Sequence, residues 1–137
     1  MNHDTNHYYI MFFIMILSGL LSTMNVWADS INDIYFSLND LYMIFLMTGW
    51  MFLFMGLYYK ETKVFIFGLV LVFMNLTAIR YQFLITQDQF IRGMIPHHSM
   101  GIHMSKQMLK KDNYISKLLN NIMVTQINEI QYMKKLI

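Results

Sequence analysis

Three stretches of this chain carry almost no charge. From Tyr8 to Trp27 it runs through Ile10, Met11, Phe12, Phe13, Ile14, Met15, Ile16, Leu17, Leu20 and Leu21 without a single charge. A second stretch covers Leu41 to Tyr59, and a third Val64 to Ile79, which Tyr81, Phe83, Leu84 and Ile85 extend past Arg80. At about 1.5 Å per residue, roughly 20 residues cross a hydrocarbon core of about 30 Å. The pattern therefore predicts membrane helices over about 8–27, 41–59 and 64–84. Beyond Thr86 the apolar residues recur at helical spacing among polar ones. Thr86-Gln87-Asp88-Gln89 has the form of a capping box, which predicts a helix start. That helix should run to about Lys110, with a break at Lys111–Tyr114 and a second arm to Ile137. Pro96 inside the first arm removes one backbone donor and predicts a kink. No strand-like alternation or repeat occurs. The fold class is all-α, with a membrane region over 1–85 and a helical hairpin over 86–137.

Composition sharpens this picture. Apolar residues make up 56% and charged residues 13% of 137 positions, which excludes an ordinary water-soluble globule. The length argues against a multidomain enzyme. With no cysteine, disulfides, thiolate zinc sites, iron–sulfur clusters and thiol catalysis are excluded. The formal charge is only +2 and Lys and Arg are scattered, so no nucleic-acid partner is expected. Lys60-Glu61-Thr62-Lys63 is a short basic turn, whereas the first connection carries Asp29, Asp33 and Asp40 and no cation. The positive-inside rule places the Lys turn and the amino terminus in the cytoplasm and the hairpin outside. Arg80 and Arg92 argue the other way. Val26-Trp27-Ala28 also fits a signal-peptide cleavage site, but the first nine residues lack Lys and Arg and the run exceeds a usual h-region, which favours an uncleaved helix. Tyr8, Tyr9 and Trp27 fit aromatic belts at its ends.

The candidate chemistry lies on the hairpin. On a helical wheel Met94, His97, His98, Gly101, Met104 and Met108 share a face about 120° wide. Met100 lies at its border and His103 points away. On the second arm Gln126, Glu129 and Met133 fall within a stripe that also holds Leu119, Ile122, Ile130 and Leu136. A buried Glu needs a partner, a proton or a cation, and His97 and His98 are natural partners for it. Imidazole with thioether and no thiolate is a ligand mixture suited to copper, with thioether favouring Cu(I); zinc comes second. Against this, Met at helical spacing is commonly core filler. The ladder Met43, Met47, Met51, Met55 reads first as packing, and Asn75 in the third span as glue between helices. His3 and His7 could bind a metal only if helical. No metalloprotease or di-iron signature, phosphate loop or Ser-His-Asp set appears, so no enzyme is expected.

Phe90-Ile91-Arg92-Gly93-Met94-Ile95-Pro96-His97-His98 resembles the signature of domain-of-unknown-function family 305. Ile102 and Met104 match its Ile-x-Met continuation. Ile122, Gln126, Glu129, Ile130 and Met133 match the spacing of its closing helix. The resemblance covers about residues 86–137, and residues 1–85, including Asn39-Asp40-Leu41-Tyr42-Met43, look similar to a membrane-anchored branch. It implies a ferritin-like helical, extracytoplasmic protein associated with copper binding and resistance. Position by position it nominates Met94, His97, His98, Met104, Gln126, Glu129 and Met133 as metal ligands. Gly101 stands where many members carry Ala, a mild change. Larger members have two His-His motifs in a four-helix bundle; one motif here implies that the membrane helices or a second copy complete the bundle.

The expectation is an integral protein of the lipid bilayer, in a bacterial inner membrane with a periplasmic hairpin. It would hold copper for sequestration, delivery or resistance, with a homo-oligomer or a copper-transfer protein as partner. The alternative is a structural or assembly membrane protein in which His97, His98 and Glu129 form a buried polar lock without metal. A metal-dependent oxidoreductase is a third reading.

Overall fold

The computed structural model describes residues 5–137, so His3 lies outside the described residues. Five α-helices follow one another: α1 Thr5–Leu21, α2 Leu38–Tyr58, α3 Thr62–Tyr81, α4 Gln87–Leu109 and α5 Ser116–Met133. Short 3-10 turns cover Met24–Trp27 and Ile31–Asp33. No strand occurs among the described residues. The chain divides into two compact units, one holding residues up to Thr23 with Leu38–Leu84, the other Met24–Ser37 with Ile85–Ile137.

In the first unit α2 and α3 pack as an antiparallel pair at backbone contact. A Cβ added at Gly68 would lie 2.3 Å from the Leu53 nitrogen, so only glycine admits this approach. α1 runs antiparallel to α2, with Phe12 beside Phe45 and Phe52 and Gly19 against Ile44. The segments Asn6–Trp27, Leu38–Tyr58 and Thr62–Tyr81 are long and apolar enough to cross a membrane. Two polar side chains deep in α2 and α3 are satisfied within their own helices: Asn75 Nδ2 donates to Leu71 O at 2.8 Å, and the Thr48 hydroxyl to Ile44 O at 2.8 Å. The Asn75 donor thus returns to its own helix instead of bridging to a neighbour, as a group in hydrocarbon can do without a partner helix. Met43 and Met47 are exposed while Met51 and Met55 are half-buried.

The helix ends differ from the sequence expectation. The α-helix of the first span stops at Leu21, and the rest of that apolar segment, Met24–Trp27, is a 3-10 turn that belongs to the second unit. α3 stops at Tyr81, because Gln82 and Leu84 take left-handed φ values of 49° and 55°; residues 82–85 do not extend it. α2 begins at Leu38, three residues earlier than its apolar run, with Asp40 buried in its first turn.

In the second unit residues 24–37 form a strap over the hairpin. The Asn25 amide closes it by pairing with both backbone groups of Tyr35, at 2.9 and 3.1 Å. The buried Asp33 carboxylate accepts from the Ser99 hydroxyl at 2.6 Å and from Lys134 Nζ at 2.5 Å. Asp29 donates its N–H to Ser99 Oγ at 2.9 Å and accepts from Lys106 Nζ at 2.5 Å. Two of the three acids of the first connection, Asp29 and Asp33, therefore pair with lysines, one from each arm. α4 begins at the Thr86 cap, whose hydroxyl accepts from Gln89 N–H, and continues through the fully buried Pro96. Ile95, Ile102, Ile130 and Met133 form the core between the arms, with Ile91, Met94, Met123 and Tyr35 packed on it. The second arm is helical only to Met133.

Candidate metal centre

Which face of α4 meets α5 is decided by isoleucine. Ile91, Ile95 and Ile102 lie within about 40° of one another on the wheel and pack in or on the core. Branched aliphatic side chains gain most by leaving water, so this stripe turns inward. Met94, His98 and Gly101 lie on its flank and face α5. His97 and Met104, about 140° and 160° round from the stripe, are exposed.

His98 lies across from Glu129, with Nδ1 3.1 Å from Oε2, an ion-pair distance without hydrogen-bond alignment. The His98 side chain is 14% exposed and that of Glu129 51%. The carboxylate expected to be buried is thus largely hydrated, because it sits at the outer edge of the contact. Among the described residues His98 Nδ1 and Gln126 Oε1 are buried with no hydrogen-bond partner. Both residues line an open pocket of about 290 Å³ with Glu129, Asn121, Ile122 and Thr125. The structure therefore brings together His98, Gln126 and Glu129. Met133 sits in the apolar core and Met94 against it. The exposed His97 ring has its centroid 6.0 Å from that of His98, and neither His97 nor Met104 lines the pocket. No group of three or more His, Asp or Glu is gathered among the described residues.

Asn121 and Thr125 were absent from the sequence candidates. Counting back from Glu129 in steps of four reaches both, the spacing that puts residues on one helix face. The Asp29, Asp33 and Ser99 contacts had no sequence signal, since they join positions 66 to 101 residues apart.

Gly101 is where α4 admits the Gln126 amide. A Cβ there would lie 2.2 Å from Oε1 and 2.8 Å from Nε2. An alanine methyl there would displace the Gln126 amide, which is the tip of a flexible side chain. Gly101→Ala should keep the hairpin folded, because Ala favours a helix over Gly by about 1 kcal/mol. The displaced amide should weaken metal binding about ten-fold. Melting curves with copper titration check this, and unchanged affinity would remove Gln126 from the ligand set.

Burial pushes the His98 imidazole below its ordinary value of 6.5; the Glu129 carboxylate pulls it up and His97 adds to the lowering. A neutral ring is the ligating form. The unfolded chain takes up this proton first, so the stabilisation is complete above pH 6.5 and declines as pH falls through the lower folded-state value. The melting temperature of the metal-free protein should fall between pH 7.5 and about 5.5, with part of that slope absent in His98→Gln. Equal slopes in the two proteins would show that His98 is not the titrating group.

Three helices long and apolar enough to cross a membrane and a hairpin with an imidazole, an amide and a carboxylate around one pocket define an all-α protein. The chain belongs to the family described as Domain of unknown function (DUF305), whose model matches residues 74–137 and so begins within α3, upstream of the hairpin. It is similar to "Uncharacterized protein L153" of Acanthamoeba polyphaga mimivirus, 42% identical over 128 residues that cover 88% of this chain and 84% of the relative. No solved structure matches it.

Proposed function

We propose that this chain is a membrane-anchored copper-binding protein whose hairpin holds the metal for sequestration, delivery or resistance, without turnover. The observation that carries the reading is the pair of buried polar atoms, His98 Nδ1 and Gln126 Oε1, with no hydrogen-bond partner among the described residues in a pocket shared with a carboxylate. Each such group costs about 1–3 kcal/mol unless something satisfies it, and a cation satisfies both while meeting the charge of Glu129. Imidazole, amide and carboxylate suit Cu(II), with Zn(II) as competitor. Met94 and Met133, in and against the adjoining core, supply the thioethers that Cu(I) prefers. His97 and Met104 are exposed and belong to the capture of the ion from solvent or from a copper-transfer protein or second copy.

The basic Lys60–Lys63 turn supports a topology with amino terminus and turn in the cytoplasm and the hairpin beyond the membrane. With a viral relative, the proposal commits to the side and not to a bacterial membrane. A ferritin-like bundle, completed by a second hairpin, is the architecture in which such a site would close. The 3.1 Å approach of His98 to Glu129 favours a second reading, a polar lock between the arms. Copper and zinc titration of the detergent-solubilised full chain decides. A ligand set gives saturable copper binding that is lost in His97→Ala/His98→Ala, whereas a lock gives no metal-dependent change.

A further inference from the structure

A second cavity lies in the first unit, between the apolar helices. It is an open cleft of about 510 Å³ whose lining includes Tyr9, Phe12, Phe13, Phe52, Lys63 and Phe67. Phe52 meets Phe67 edge-on at 5.4 Å, and the Phe12 ring stands 6.2 and 6.5 Å from these two, so three packed rings form one wall. Polarity is confined to one end. Tyr9 lies one turn before Phe13 on α1 and Lys63 one turn before Phe67 on α3, each on the same helix face as its phenylalanine. Because α1 is antiparallel to α2 and α3 follows α2 through the Lys60–Glu61 turn, Tyr9 and Lys63 mark the same end of the unit. None of the ion pairs among the described residues involves Lys63.

We infer that this cleft binds one anionic phospholipid, its phosphate at Lys63 and the start of one acyl chain along Phe13, Phe52 and Phe67. The inference rests on the three helices crossing a bilayer, and it is independent of the copper reading. Ammonium and phenol sit at headgroup level and aromatic rings at acyl depth, the gradient that a phospholipid itself presents. The volume is that of a small-ligand pocket, apolar with one charged group fixing orientation. A symmetric dimer through the same cleft would bring two Lys63 side chains toward one axis, which like charge opposes. Anionic lipid removes that conflict.

The test is native mass spectrometry of the delipidated full chain in detergent, titrated with phosphatidylglycerol or with phosphatidylcholine of the same acyl chains. One phosphatidylglycerol should be retained about five-fold more strongly than phosphatidylcholine, the effect of one lysine at an anionic headgroup. Lys63→Gln should bring the ratio to about one, Lys60→Gln should leave it unchanged, and Phe67→Trp, which fills the cleft, should lower retention of both lipids. Circular dichroism verifies that each variant keeps its helices. Equal retention of the two lipids by the wild type, the same loss in Lys60→Gln as in Lys63→Gln, undiminished retention in Phe67→Trp, or a dimer without lipid adduct would each overturn the assignment. A chain that stays in solution without detergent would overturn the membrane reading and this inference with it, while leaving copper binding to its own titration.

Discussion

His98→Ala is expected to weaken copper binding by at least about 100-fold, beyond the loss typical of a supporting group, whereas His97→Ala should weaken it about ten-fold or less. The two rings are neighbours in sequence but not in environment. His98 is 14% exposed at its side chain, with a buried Nδ1 that lacks a hydrogen-bond partner among the described residues. Burial also holds its imidazole below its ordinary pKa, so protons compete less with a metal at neutral pH. His97 is exposed and loses little by remaining hydrated. Glu129→Gln keeps the shape of the pocket and removes its charge, and should reduce Cu(II) affinity about ten-fold. Calorimetric titration against a competing chelator measures all three, and the Cu(II) spin-resonance spectrum reports nitrogen coordination. Wild-type affinity in His98→Ala would end the pocket assignment. Equal losses in the two histidine variants would move the site to the exposed surface of α4.

Asp33→Ala should destabilise the hairpin by about 3 kcal/mol, at the lower edge of what breaking a buried ion pair costs. Two groups lose their acceptor at once, the Ser99 hydroxyl and Lys134 Nζ. Lys134 is 30% exposed and can turn to water, which keeps the loss from being larger. Asp33→Asn retains an acceptor for Ser99 and should lose about 1 kcal/mol. Asp29→Ala removes a pair whose lysine is 49% exposed, so less than 1 kcal/mol is at stake. Thermal unfolding followed by circular dichroism in detergent orders the three variants. Because Ser99 engages the strap and does not line the His98 pocket, folded Asp33→Ala should keep whatever copper stoichiometry the wild type has. Equal, small shifts for Asp33→Ala and Asp29→Ala would show that the strap is held by something other than its buried acid.

The glycine at position 101 shows what pattern alone leaves out. In sequence it differs from alanine by one methyl group and about 1 kcal/mol of helix preference. Its meaning depends on Gln126, 25 positions away, resting where that methyl would be. The same holds for Glu129, whose stripe position predicted burial, while the contact geometry leaves it half in water.

Much of this protein is written in local order. Uncharged runs long enough to cross a bilayer, a Thr86 cap, an aliphatic period of 3.6 and the turn after Lys110 depend on neighbours within a few residues, so five helices, their order and the hairpin can be read from the residues in line. Local order also gives the family and the candidate His98, Gln126 and Glu129, since steps of three and four map directly onto a helix face. Tertiary structure alone decided which way that face turns. His97 and His98 satisfy the same wheel, and only the packing of Ile95 and Ile102 against Ile130 buries one ring and leaves the other in solvent. It also decided the fate of residues 24–37, where Asp29 and Asp33 find Lys106 and Lys134 across 77 and 101 positions, because an ion pair between distant segments has no period for a sequence to display.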